Sequence, residues 1–314
     1  MNKQVSARKA YGEALAKYGK VDPNIVVLVA DVSSSVQTNY FAKAFPERFF
    51  NIGIAEQGMV DIAVGFALGG MIPFINTFAG LFLRAIEQIR TCVAYAETNV
   101  KLIGGYAGLS DFKDGPTHHS ITDIAIMRAI PNMTVIVPAD ATEIRKMVPA
   151  IAEYPGPVYL RISRAEMPLI FDDSHQVKIG NGVMVRDGTD ISIIANGSML
   201  ARSLEAGKVM AAEGINARII NMHTVKPLDI SLIKRCAKET GAIVTVEEHS
   251  IVGGLGSAVA EILVKEHPVP IEMVGIADKF TETALDSDSL LDHYGMGVDD
   301  IVKAVQQVLR RREK

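Results

Sequence analysis

The sequence predicts an α/β protein of two domains, each a largely parallel sheet flanked by helices. Three observations carry this expectation. Apolar, β-branched runs alternate with segments of helical apolar spacing, the pattern of strands buried on both faces. The alternation lapses between Arg164 and Asp190, where Pro168, Asp172, Asp173, Ser174 and several glycines interrupt it, and then restarts. The chain's 314 residues also exceed what one hydrophobic core usually serves. These observations place a first domain at 1–165, a linker at 166–190 and a second domain at 191–314.

In order, the first domain opens with a helical pattern at Val5–Lys17 and a strand at Ile25–Asp31. Strands follow at Phe49–Ile54, Met71–Phe78, Val100–Tyr106, Met133–Ala139 and Val158–Ser163, separated by helical patterns at Gln57–Leu68, Leu81–Glu97, Ile121–Ala129 and Ala141–Tyr154. The second domain repeats the alternation. Its strands are Ile191–Asn196, Ala217–Met222, Ile243–Glu247 and Ile271–Ile276, and its helices Ser198–Glu213, Asp229–Glu239, Gly256–His267 and Val298–Arg311. No internal repeat or low-complexity tract occurs.

Composition narrows the partners. Hydrophobic residues make up 48% of the chain and mean hydropathy is +0.21, rich for a surface that must cover itself, so an extensive subunit interface is expected. A net charge of −4 and a pI near 6.0 leave no electrostatic footprint for nucleic acid or anionic lipid. Any anionic ligand must meet local positive charge. Cys92 and Cys236 lie far apart, without neighbours at metal-ligand spacing, which fits free thiols in a reducing cytoplasm. Met1–Tyr18 is polar and amphipathic and carries no export signal, so a cytoplasmic location is expected. The uncharged stretch Ile62–Leu83 is long enough to span a bilayer, but Gly69, Gly70 and Pro73 interrupt it and Asn76 and Thr77 add polarity. It reads as a buried helix, a turn and a buried strand, with no membrane span.

Ligands of open α/β sheets gather at the carboxyl ends of strands. This directs attention to Asp31–Ser35, Ile54–Gln57, Asn76–Phe78, Tyr106–His119 and Ser163–Arg164. Glu56 stands where a strand gives way to a helix, a place where the helix dipole alone favours an acid. The loop Asp114-Gly115-Pro116-Thr117-His118-His119-Ser120 joins a strand to a helix. Its paired histidines suit general acid–base work or anion contact, and no third ligand for a metal is evident. Arg8, Arg84, Arg161 and Arg164 are the cations to consider for a phosphate, although surface or interdomain ion pairing is the commoner fate of arginine. Its strand-end position singles out Arg164. Val252-Gly253-Gly254-Leu255-Gly256 lacks the full dinucleotide-binding spacing, so tight packing or a subunit contact is expected there.

Taken together, Asn51-Ile52-Gly53-Ile54-Ala55-Glu56-Gln57, Pro73-Phe74-Ile75-Asn76-Thr77-Phe78 and Asp114-Gly115-Pro116-Thr117-His118 resemble the transketolase family in order and spacing, over essentially the whole chain. The Ser163–Arg164 pair falls where that family has one too. The resemblance implies a pyrimidine-binding domain followed by a transketolase C-terminal domain, with thiamine diphosphate as cofactor. It assigns Glu56 to the carboxylate that hydrogen-bonds the aminopyrimidine ring and enables its imino form. Phe78 corresponds to the aromatic that stacks on that ring, and Asp31 to an acidic residue near the cofactor. His118 corresponds to a hydrogen-bond or proton-transfer partner of the reacting hydroxyls, and Asp114 to a sugar-hydroxyl contact. Arg8, Ser35 and Arg164 correspond to sugar-phosphate binders. The implied reaction moves a two-carbon ketol unit from a ketose phosphate to an aldose phosphate.

The family holds the diphosphate through Mg2+ or Ca2+ on a Gly-Asp-Gly motif, and this sequence contains none. The resemblance therefore implies an N-terminal transketolase subunit supplying that motif, in an α2β2 heterotetramer with sites between subunits. Three positions depart from the pattern. Tyr106 replaces a substrate-contacting histidine, and Leu81 and Arg84 stand where some members carry aromatics, which leaves the sugar open. A deoxyxylulose phosphate synthase-like enzyme, a 2-oxoacid dehydrogenase β-subunit-like enzyme and a non-catalytic paralogue are the competing readings.

Overall fold

A computed structural model describes residues 4–312. Its strands are β1 (Gln4–Ser6), β2 (Ile25–Val29), β3 (Phe49–Asn51), β4 (Ile72–Phe78), β5 (Lys101–Gly105), β6 (Thr134–Ile136), β7 (Val158–Arg161), β8 (Glu166–Pro168), β9 (Val183–Arg186), β10 (Ile191–Ala195), β11 (Ala217–Asn221), β12 (Thr224–Lys226), β13 (Ile243–Ser250) and β14 (Ile271–Ile276). The expected α/β architecture is present in both halves. A seven-stranded sheet runs β12-β6-β7-β5-β4-β2-β3, all parallel apart from β12. A five-stranded sheet runs β14-β13-β10-β11-β9 and is parallel apart from β9.

Every residue of β2 and β5 is buried, as parallel strands covered on both faces require. One face of the larger sheet packs Ala7–Tyr18 and Ala141–Glu153 through Tyr11, Leu15, Ile144 and Met147. Its other face packs Glu56–Leu68 and Asp123–Ala129 through Met59, Val60, Ile124 and Met127. In the smaller sheet, Met199–Ala212 and Val298–Arg312 cover one face, and Ile230–Thr240 and Leu255–Glu266 the other.

Several elements differ from the expected ones for local reasons. The strand expected at Phe49–Ile54 stops at Asn51, whose Oδ1 accepts the Gly53 amide at 3.1 Å and bends the chain. The helix expected at Leu81–Glu97 divides into a 3-10 segment Ala79–Ala85, a short α turn Ile86–Gln88 and a π segment Ile89–Tyr95. The wide turn closes where the Thr98 amide reaches back five residues to the Val93 carbonyl at 3.0 Å. The stretch read as a linker contributes two strands. β8 pairs antiparallel with β1, and β9 joins the smaller sheet. β12 comes from the second half of the chain yet completes the edge of the first sheet against β6. The segment Ile62–Leu83 resolves into the end of a helix, a Gly69–Gly70 turn, β4 and the 3-10 segment. Among the described residues no helix is long and apolar enough to cross a membrane.

Candidate active site

The carboxyl ends of β2, β3, β4, β5 and β7 deliver the sequence-predicted residues to one end of the larger sheet, except Arg8, which comes from the first turn of the helix Ala7–Tyr18. Glu56 is the first residue of its helix and is 3% exposed. Its Oε2 lies 3.8 Å from Nε of Arg84, an exposed residue. Its Oε1 is buried and has no hydrogen-bond partner among the described residues. A buried carboxylate oxygen without a donor is costly, so this atom fits a ligand N–H arriving from outside the chain.

Phe78, at the end of β4, stacks on Tyr106 with ring centroids 4.1 Å apart and planes at 21°. His118 meets Phe78 edge-on at 6.2 Å. Tyr106 holds a left-handed backbone, φ 57, a rare conformation for a bulky residue and one found at functional sites. Two cations frame it. An Arg8 guanidinium nitrogen donates at 2.8 Å to both the Tyr106 hydroxyl and the Ser35 carbonyl. The Arg164 guanidinium lies 5.2 Å from the same ring centre. Ser35 thus meets Arg8 through its backbone, from the short helix Ser33–Val36 after β2.

Arg164 also pairs with Asp111, a fully buried carboxylate that sequence reasoning did not single out. The only signal for Asp111 was its place in the strand-end loop, three residues before Asp114. Burial pushes the Asp111 carboxyl above its ordinary range; the Arg164 guanidinium opposes the rise and Asp114 adds to it. Its second oxygen is buried without a hydrogen-bond partner among the described residues.

Asp114 and Asp31 are exposed. Asn51 donates to Asp31 Oδ1 at 2.9 Å and accepts the Asp31 amide at 3.0 Å, which fixes a left-handed residue, φ 56, at the end of β2. His118 is half-buried, with Nδ1 3.0 Å from Thr117 Oγ1. Its neighbour His119 is buried and turns away, towards Thr281.

Arg161, one of the four candidate cations, is not available to a ligand. It is buried and bonded to Asp123, to the Ser120 carbonyl at 2.9 Å and to the Glu248 carbonyl at 3.0 Å. The glycine run of the second domain serves packing. Glu247 accepts the Leu255 and Gly256 amides at 2.7 and 2.8 Å, and a Cβ on Gly254 would lie 2.1 Å from that carboxylate. This carboxylate occupies the place where a phosphate would bind a helix N-terminus. A cavity of about 1220 Å³ lies between β8 and the helix starting at Met199. Its Arg202 is already paired with Asp288 and Asp292. No group of three or more His, Cys, Asp or Glu side chains able to hold a metal ion occurs among the described residues.

Comparison with known proteins gives the family. Residues 3–169 match the family described as transketolase, pyrimidine binding domain, and residues 180–301 the transketolase C-terminal domain. The chain is 43% identical over 309 residues to a putative transketolase C-terminal section of Methanocaldococcus jannaschii, covering 97% of this chain and 96% of that one. It is 37% identical over 312 residues to an apulose-4-phosphate transketolase subunit of Phocaeicola vulgatus, covering 99% of each. A solved structure titled split gene transketolase, inactive beta4 tetramer superposes with a TM-score of 0.91 at 46% identity, covering 98% of this chain and 99% of that one. On these grounds the chain belongs to the transketolase family and carries that family's pyrimidine-binding and C-terminal domains.

Proposed function

We propose that this chain is the C-terminal subunit of a two-chain transketolase, active only with an N-terminal subunit that holds the diphosphate and its Mg2+ or Ca2+ through a Gly-Asp-Gly motif. The reaction is transfer of a two-carbon ketol unit from a ketose phosphate to an aldose phosphate. The observation that carries the reading is the unpartnered Oε1 of buried Glu56, beside a helix start and on the same sheet end as the Phe78 ring. Thiamine diphosphate, when bound, supplies a carbon nucleophile and an electron sink for the two-carbon unit.

Glu56 would accept a hydrogen bond from the pyrimidine ring nitrogen at Oε1 and hold that proton in place. Phe78 would stack on the ring through the face that Tyr106 leaves free, combining apolar burial with ring geometry. Asp31 would stand beside the cofactor with its carboxylate oriented by Asn51. On the substrate side, Arg8 and Arg164 place two guanidinium groups around Tyr106, the local positive charge that an acidic chain needs to hold a sugar phosphate. Ser35 and Asp114 would bind the sugar phosphate and a sugar hydroxyl, and His118 would exchange a proton at its imidazole with the reacting hydroxyl. The chain's apolar excess suits an α2β2 assembly with the site between subunits, as does the exposed Ile54, Ile62 and Leu68 around the Glu56 helix.

The test is reconstitution. This chain, mixed with a partner bearing Gly-Asp-Gly, the cofactor and Mg2+, is expected to convert pairs of ketose and aldose phosphates. Carbon dioxide release, or a requirement for a lipoyl carrier, would reject the reading.

A further inference from the structure

The second domain reaches the loop that carries Asp111, Asp114 and His118 at three levels. At its root, Glu248 Oε1 accepts the Leu109 amide at 2.7 Å, and the Ser250 amide donates to the Ile121 carbonyl at 2.9 Å. Over its tip runs the segment Thr281–Ala284. The Ala284 amide donates to the Phe112 carbonyl at 3.0 Å. The Thr283 methyl sits where a Cβ on Gly115 would be, 2.5 Å away, and Gly115 has φ +78. Between root and tip, His119 Nδ1 lies 2.7 Å from Thr281 Oγ1 and Nε2 lies 3.1 Å from the Asp111 carbonyl.

The tautomer follows from these partners. A carbonyl only accepts, so Nε2 carries the proton, and burial lowers the His119 pKa and keeps the ring neutral. Nδ1 therefore accepts from the Thr281 hydroxyl. Thr281 is itself buried, 4% exposed, so water does not replace it readily. A continuous path then runs from the second domain to the candidate phosphate anchor: Thr281 to His119, His119 to the Asp111 backbone, and the Asp111 carboxylate to Arg164.

We infer that Thr281–Ala284 is a strap by which the second domain positions the Asp111–His119 loop, with Thr281 acting through His119. The positioning role for ketol transfer rests on the proposed function; the holding of the loop does not. Thr281 and His119 are positioning residues, since neither touches the candidate substrate groups directly.

Two measurements on the full chain test this. In Thr281→Val, amide hydrogen exchange of residues 111–119 should accelerate by about tenfold, the worth of one lost neutral hydrogen bond, with the protein still folded. In the reconstituted enzyme the same variant should lose about tenfold in kcat, and Thr281→Ser, which keeps the hydroxyl, should restore both readouts. Unchanged exchange in Thr281→Val, or a Thr281→Ser variant as impaired as Thr281→Val, would overturn the strap. If Thr281→Val does not fold, Thr283→Ser, which removes only the methyl over Gly115, carries the same exchange comparison. A wild-type pair that transfers no ketol unit would reject the proposed function, while the exchange comparison would still decide the strap.

Discussion

The Arg8 guanidinium donates to the Tyr106 hydroxyl at 2.8 Å and lies 4.9 Å from the centre of the same ring, while Phe78 stacks on it. Cation and aromatic stack are one unit, so in the proposed function substrate charge and cofactor ring would be handled by adjoining parts of a single cluster. Tyr106→Phe keeps the stack and removes the tether that aims Arg8. The expected result is a KM for phosphorylated donors raised by about 2–10-fold, the net worth of one ordinary hydrogen bond, with kcat little changed. Steady-state kinetics of the reconstituted enzyme measures it.

Glu56→Gln keeps the shape of the side chain and removes its charge. Transfer should fall by about 10²–10³, the usual cost of losing one preorganised electrostatic contact, while assembly persists. Near-normal turnover at saturating cofactor would take Glu56 out of its proposed role.

Arg164→Ala should cost about 10–150-fold in catalytic efficiency for a phosphorylated ketose donor. An unphosphorylated short donor such as hydroxypyruvate does not use the anchor and should lose far less. The same substitution strands the buried Asp111 carboxylate, so Arg164→Ala with Asp111→Asn should be more stable than Arg164→Ala alone. Equal losses for the two donors would move the phosphate site elsewhere.

Lys101 is fully buried on β5, and its ammonium donates to Asn99 Oδ1 at 2.7 Å and to the Tyr154 and Gly156 carbonyls at 2.6 and 2.7 Å. Among the described residues no carboxylate pairs with it, and burial pushes its pKa down from 10.5 to about 7. Between those values the unfolded chain binds a proton that the folded chain does not. This residue's contribution to stability should therefore rise with pH across that window, by at most about 1.4 kcal/mol per unit, and be lost as pH falls towards 7. Urea unfolding of the wild type and Lys101→Met at pH 7 and pH 9 isolates the contribution; parallel pH dependences would reject it.

Glu56, Phe78 and Arg164 were legible because their placement is local: each follows a strand at its carboxyl end, and sequence pattern marks strands well. Asp111 was not, because its importance comes from burial beneath the second domain and from a partner 53 residues away. Thr281 was less legible still, since its contact with His119 spans 162 residues. Tyr106 stood out only as a departure, and nothing in its neighbours announces a left-handed backbone between two arginines. The division of Leu81–Glu97 into 3-10, α and π turns escaped for a different reason. Apolar spacing over so few turns does not distinguish them, and the wide turn is set by the Thr98 amide.

The antiparallel strand β12 fixes how the molecule can move. A hinge between the two halves would have to tear β12 from β6, including the Val137 amide bond to the His223 carbonyl at 2.7 Å. It would also pull the Lys226 ammonium from the Arg128 and Ile130 carbonyls, 3.0 and 2.5 Å away. Clamshell opening that carried β12 with the second half is thus opposed by backbone pairing. In the proposed two-chain enzyme, substrate entry and product exit would then fall to loops and to the neighbouring subunit, with the two halves of this chain tied together as a wall.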